Sequence, residues 1–208
     1  PADNDRFRYE VAEMLGLPIT EDSDGRDIWQ VFEDENFLNG HHTPCSRILK
    51  QQRSLAFCLK NMPVTLYLGY SLEEGDRAQR TYARYNAHGI ETRFPLIEQN
   101  ISKEMCLHTV QNCWGLRLPE MYAWAEHANC IPCVKGAKAY WGIIAIKYPE
   151  IFERAVNLEE TLGQYIRSEG YLREIKPDCL RLATRYLEKK DGSQRQGSLF
   201  LLPCECGN

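Results

Sequence analysis

Cys130 and Cys133 stand two residues apart in Asn-Cys-Ile-Pro-Cys-Val-Lys-Gly, the stretch from Asn129 to Gly136. A pair spaced this way can close into a redox disulfide, hold a soft metal, or simply pack as two inert thiols. A thioredoxin-type redox pair opens a helix directly after a strand. The segment before this pair, "LPEMYAWAEHAN", does not read as a strand. A metal needs further soft ligands, and the chain has nine cysteines to draw on: 45, 58, 106, 113, 130, 133, 179, 204 and 206. Cys106 and Cys113 lie about two helical turns apart, so both can point to one side. Cys45 begins a helix, and Cys204 and Cys206 close the sequence. Four thiolates suit a zinc ion or an iron–sulfur cluster. The metal reading therefore leads, with a redox pair and inert thiols as its alternatives. Cys58, in "SLAFCLK", and Cys179, in "KPDCLRL", read as small core residues on amphipathic helices.

Two other stretches carry charge in useful places. "LYLGYSLEEGDRAQR" reads as a strand ending at Gly69 and giving way to a loop with Glu73, Glu74, Arg77 and Arg80. Open α/β sheets bind ligands at the carboxyl ends of their strands. Gly69 would admit a close backbone approach, and the arginines offer paired contacts to phosphate or sulfate. The alternative is an acid-rich helix start with charge pairs three residues apart on a solvated face. In "HHTPCSRILK", His41 and His42 are metal ligands or plain loop residues. Arg47 and Lys50 share a helix face beside Cys45, a basic setting that favours thiolate.

The elements that must position these groups follow from periodicity. Residues 4–19 read as a helix stopping at Gly16, with Phe7, Val11, Met14 and Leu15 as its apolar side. "RDIWQVFEDENFL" is a second helix built on Ile28, Trp29, Phe32 and Phe37. "CSRILKQQRSLAFCLKN" is a third. Val64–Tyr70 is the best strand, and "IETRFPL" another. A helix starts at the N-cap Ser102 and ends at Gly115. Beyond residue 134 the pattern is helical, with stripes through Tyr140, Trp141 and Ile144 and a break at Pro149. Alternation of helix and strand up to about residue 100 predicts an α/β fold with a parallel sheet.

The 208 residues suit one such domain with an appended lobe, and 43% hydrophobic residues can build a core without disulfides. A net charge of −4 and a pI near 5.8 argue against wholesale nucleic-acid coating, though they allow a local basic groove. No apolar run approaches the ~18 residues of a membrane span. The first residues have no apolar signal core, so a cytoplasmic protein is expected.

Four ordered segments, "PCSRILK", "LYLGYSLEEGDRAQR", "PLIEQNISKEMCLHTVQNCWGLRLPEMY" and "NCIPCVKGAKAYWGIIAIKYPEIFERAVNLEETLG", resemble the phosphoadenosine phosphosulfate reductase-like proteins often found in phage genomes. These belong to the adenine nucleotide alpha-hydrolase, or PP-loop, superfamily. The closing "CEC" is similar to that branch's ending. The resemblance implies a doubly wound, mainly parallel sheet: a truncated PP-loop-type α/β domain over residues 1–128 and a cysteine-containing helical region over 129–208. It implies binding of ATP or an adenylyl-sulfate nucleotide by Gly69, Glu74, Arg77 and Arg80, with Lys50 and Lys135 assisting. It also implies a four-iron, four-sulfur cluster, with zinc as the alternative. Cys45, Cys130 and Cys133 match the family's cluster positions, and Ser46 replaces a second adjacent cysteine. Cys106 is assigned as fourth ligand, with Cys206 behind it. Glu205-Cys206-Gly207 partly matches a catalytic-cysteine context but lacks its histidine, which leaves Cys206 a weak catalytic candidate. The family's Ser-Gly-Gly-x-Asp-Ser phosphate loop is not found in these 208 residues, and the first 19 match the helix after the family's second strand. The expected function is sulfonucleotide processing or sulfur transfer in a phage or bacterial host cytosol, with a nucleic-acid acceptor or a thiol reductant as partner. The alternative is a non-catalytic metal-binding module that contacts nucleic acid or protein.

Overall fold

The computed structural model describes residues 2–39 and 43–195. Helix dominates, in the order α1 (Ala2–Leu15), α2 (Ile28–Glu35), α3 (Pro44–Ser46), α4 (Arg53–Lys60), α5 (Gly75–Asn86), α6 (Pro95–Glu98), α7 (Lys103–His108), α8 (Lys138–Lys147), α9 (Pro149–Leu162) and α10 (Leu172–Arg195). The two strands among the described residues, β1 (Thr65–Tyr67) and β2 (Glu91–Arg93), are three residues each. No helix among the described residues is long and apolar enough to cross a membrane. The chain forms two compact units, in their described parts: Pro1–Asp5, Gly25–Arg47 and Pro119–Asn208 in one, Arg6–Asp24 and Ile48–Leu118 in the other.

The second of these units holds the strands. β1 and β2 pair in parallel, Thr65 with Glu91, Leu66 with Thr92 and Tyr67 with Arg93, with α5 as the crossover between them. The pleat sends alternate residues to opposite faces. Leu66 packs on a small core of Cys58, Tyr85 and Ile90, supported by Leu55 and Val64. Tyr67, one residue on, is 64% exposed. This geometry corrects the expected doubly wound sheet. Such a sheet is covered on both faces, whereas here a single β–α–β unit has one face on a small core. The apolar run from Val64 to Tyr70 reads like a buried strand, but it pairs over only three residues.

The unit containing α8 to α10 has the larger core. Its α2 opens with a capping box: the Gln30 N–H donates to the Asp27 carboxylate and the Asp27 N–H to the Gln30 side chain, each at 2.8 Å. Trp29, Val31 and Phe32 are buried, and α2 stops at Asn36 in the left-handed conformation. α8 is apolar nearly all round, with Tyr140, Trp141, Ile143 and Ile144 buried. It presses against α10 so closely that a Cβ on Gly142 would lie 2.0 Å from the Cys179 carbonyl oxygen. α9 begins with Pro149, which needs no N–H partner in a first turn. α10 begins at Leu172, earlier than the stretch from Cys179 suggested, because Pro177 sits inside it on the exposed side. Glu159 is fully buried and accepts the N–H groups of Ile166 and Leu172, both at 2.7 Å, which fixes the connection between α9 and α10. The buried Lys190 ammonium donates to the carbonyls of Tyr122 (2.8 Å) and Ala125 (3.3 Å).

Candidate functional site

The stretch from Cys130 to Gly136 is held from several directions within its unit. Pro132 and Val134 are buried, and Cys130, Ile131 and Cys133 are half-buried, so the two thiols sit where the loop meets the core. The Tyr140 hydroxyl accepts the Cys133 N–H at 2.7 Å and donates to the Cys130 carbonyl at 2.9 Å. Burial drives the Tyr140 phenol well above its ordinary pKa, so it keeps the proton this donation requires. Its ring stands edge-on to Trp141 (centroids 6.0 Å apart) and tilted against Trp124 (6.2 Å). Past the pair, the Gly136 N–H donates to the Cys133 carbonyl at 2.9 Å. A Cβ at Gly136 would strike the Tyr140 ring at 2.0 Å, so this position requires glycine. The Arg167 guanidinium reaches the Gly136 carbonyl at 3.4 Å and the Glu169 carboxylate at 3.1 Å. Sequence reasoning placed Tyr140 in an apolar stripe and missed both it and Arg167. No sequence signal marks Tyr140: it lies seven residues past Cys133, on the first turn of α8, within an apolar stripe.

The remaining metal candidates are distributed otherwise. Cys45 is half-buried beside the same core as Cys133. Cys106 belongs to the other compact unit, where burial, and after it the Glu73 charge, raises its thiol pKa. Among the described residues no three His, Cys, Asp or Glu side chains stand together as a metal site. Of the set Cys45, Cys106, Cys130 and Cys133, three belong to one compact unit and Cys106 to the other. The spacing of Cys106 and Cys113 is not that of one continuous α-helix, because a π-helical stretch with wider turns, Thr109–Cys113, follows α7. Cys113 is exposed while Cys106 is half-buried. Cys58 and Cys179 are core residues, as their surroundings suggested, and burial pushes the Cys179 thiol up to about 11. His41, His42, Cys204 and Cys206 lie outside the described residues.

Of the proposed nucleotide residues, Gly69 follows β1, Glu74 directly precedes α5, Arg77 and Arg80 lie on α5, and Lys50 lies in the π-helical stretch Arg47–Gln52. Gly69 is exposed, with nothing within 4 Å of where a Cβ would stand, so a ligand could approach its backbone. Glu74 closes a capping box on Ser71, accepting its N–H at 3.1 Å, and pairs with Arg77 at 2.7 Å. The Arg77 guanidinium also lies over the Tyr70 ring, 4.6 Å from its centroid, and Tyr70 stacks on Phe94 at 5.8 Å. Arg80 and Lys50 are exposed. Glu74 and Arg77 thus serve the start of α5, as the solvated-face alternative supposed. Because the pair is exposed, Arg77→Ala should lower stability by no more than about 1 kcal/mol, as a urea titration would show. A loss of several kcal/mol would assign this arginine a role in the core.

Protein-family models, curated proteins and solved structures give no match to this chain. The reading of function therefore rests on the site itself.

Proposed function

We propose that this chain is a sulfur-transfer or sulfonucleotide-processing protein, related to the phosphoadenosine phosphosulfate reductases, that holds a soft metal centre through Cys130 and Cys133. The observation that carries the reading is the turn between the two cysteines: both thiols are half-buried, and their backbone is tied by Tyr140. A fixed pair of sulfurs two residues apart fits one half of a four-thiolate donor set. A zinc ion or an iron–sulfur cluster bound there would keep both sulfurs deprotonated, and of the two only the cluster would supply electron or sulfur chemistry. The chain's own part is to hold the pair, through Tyr140 and Arg167, and to offset its negative charge with the adjacent Lys135. The adenine nucleotide would meet Gly69 and Arg80 at the open carboxyl end of β1.

A second reading, a non-catalytic metal-binding module for nucleic acid or protein, draws on the engagement of Glu74 in the cap of the 3-10 turn before α5 and in an ion pair with Arg77. One purification separates the two. Anaerobically prepared protein should carry zinc, or iron with acid-labile sulfide, and Cys130→Ser should lose most of it. Calorimetry of the same sample with ATP or adenylyl sulfate then decides: binding supports the first reading, and retained metal without nucleotide affinity supports the second. Metal content equal in Cys130→Ser and the parent protein would remove both.

A further inference from the structure

A four-residue turn ordinarily closes with a direct bond from its last N–H to its first carbonyl. Between Cys130 and Cys133 that bond is replaced by the Tyr140 hydroxyl, which takes the N–H on one side and gives its proton to the carbonyl on the other. The two backbone groups meet through the hydroxyl, at 2.7 and 2.9 Å. The hydroxyl's place is set by the core. Its ring is wedged among Trp124, Trp141 and the backbone of Gly136, and α8 carries it against α10.

We infer that Tyr140 is a positioning residue for the cysteine pair: its hydroxyl fixes the opening of the Cys130–Cys133 turn and so sets the separation and direction of the two thiols toward a metal. The inference rests on the metal reading above. It differs from a merely structural role for a buried phenol in one respect. A structural hydroxyl affects the stability of the fold, whereas a positioning hydroxyl affects the metal. Outer partners that orient ligands are worth about 10–100-fold in metal affinity. The ring of Tyr140 does the packing, and phenylalanine retains the ring, so Tyr140→Phe removes the bridge with little else.

The experiment compares the full chain, Tyr140→Phe and Tyr148→Phe. Tyr148 is a suitable control because its half-buried ring tilts against the same Trp124, 6.4 Å away. Zinc affinity is measured by competition with a chromophoric chelator, and cobalt(II) substitution reads the ligand field and the thiolate charge-transfer bands. Tyr140→Phe should weaken zinc binding about 10–100-fold and shift the cobalt bands. It should also speed hydrogen exchange at the Cys133 amide, while Tyr148→Phe leaves all three unchanged. If the Cys133 amide exchanges faster but affinity and cobalt bands match the parent protein, Tyr140 is structural and the inference fails while the metal reading stands. If the parent protein binds neither ion and Cys130→Ser behaves identically, both fall together.

Discussion

Glu159→Ala should unfold at markedly lower urea concentration, with an unchanged denaturant slope. The carboxylate satisfies two buried N–H groups, those of Ile166 and Leu172, at 2.7 Å each. Each orphaned donor costs about 1–3 kcal/mol, so a loss of at least about 2 kcal/mol is expected. The ionisation gives a second handle. Burial, with the nearby charges of Glu160 and Glu174, pushes this carboxyl up to about 7, against the opposing pull of its two N–H partners. Unfolded, it would titrate near an ordinary glutamate, at roughly 4.3. Between those values the native state keeps a proton that the unfolded chain has released. Stability must therefore fall as pH rises from about 4.3 to 7, by roughly 3.5–4 kcal/mol if the whole gap is expressed. Glu159→Gln cannot titrate and should flatten that slope. Parallel pH profiles for the two proteins would show that the carboxyl ionises normally in the fold.

Gly142→Ala sets two effects of opposite sign against each other. In an exposed helix, replacing glycine by alanine stabilises by about 0.5–1 kcal/mol. Here the new methyl would lie 2.0 Å from the Cys179 carbonyl oxygen and 2.7 Å from the Ala183 Cβ. Neither atom can rotate aside, so α8 and α10 must separate along their contact. Overpacking of a core costs about 1–3 kcal/mol, occasionally more, and against a backbone atom the upper end applies. The net expectation is a loss of about 2 kcal/mol in thermal or urea unfolding. A variant more stable than its parent would mean that these two helices do not cross at Gly142.

Local signals in the sequence located most of the helices. Ser102 does cap α7, accepting the Met105 N–H at 3.2 Å, and Gly16 and Gly115 end their segments with positive φ. Pro149 starts α9, and Trp29 and Phe32 face the core as their spacing required. These features depend on nearby residues, which periodicity and capping rules read directly. What failed depended on partners far along the chain. The run Val64–Tyr70 has the composition of a buried strand, yet strand identity depends on how many neighbours pair with it, and among the described residues β2 alone does. The spacing puts Phe37 on the apolar side of α2, but the helix ends before it and leaves it exposed. Pro177 hid the first turns of α10, since proline inside a helix is disfavoured unless its freed carbonyl can meet water. At the candidate site the cysteine pair was visible from spacing. The groups that hold it, Tyr140 and Arg167, were not, because a tyrosine in an apolar stripe looks the same whether or not its hydroxyl is used.

The larger core is assembled from two stretches of sequence, Gly25–Arg47 and the region after Pro119, with the other unit's residues lying between them. Synthesis proceeds at about 5–20 residues per second, so the roughly 70 intervening residues delay α8 and α9 by several seconds after α2 is made. During that interval Trp29 and Phe32 have none of the α8–α10 core to cover them, whereas Cys58, Tyr85 and Ile90 can already meet within their own stretch. The residues of the smaller core are thus all synthesised before those of the larger core are complete.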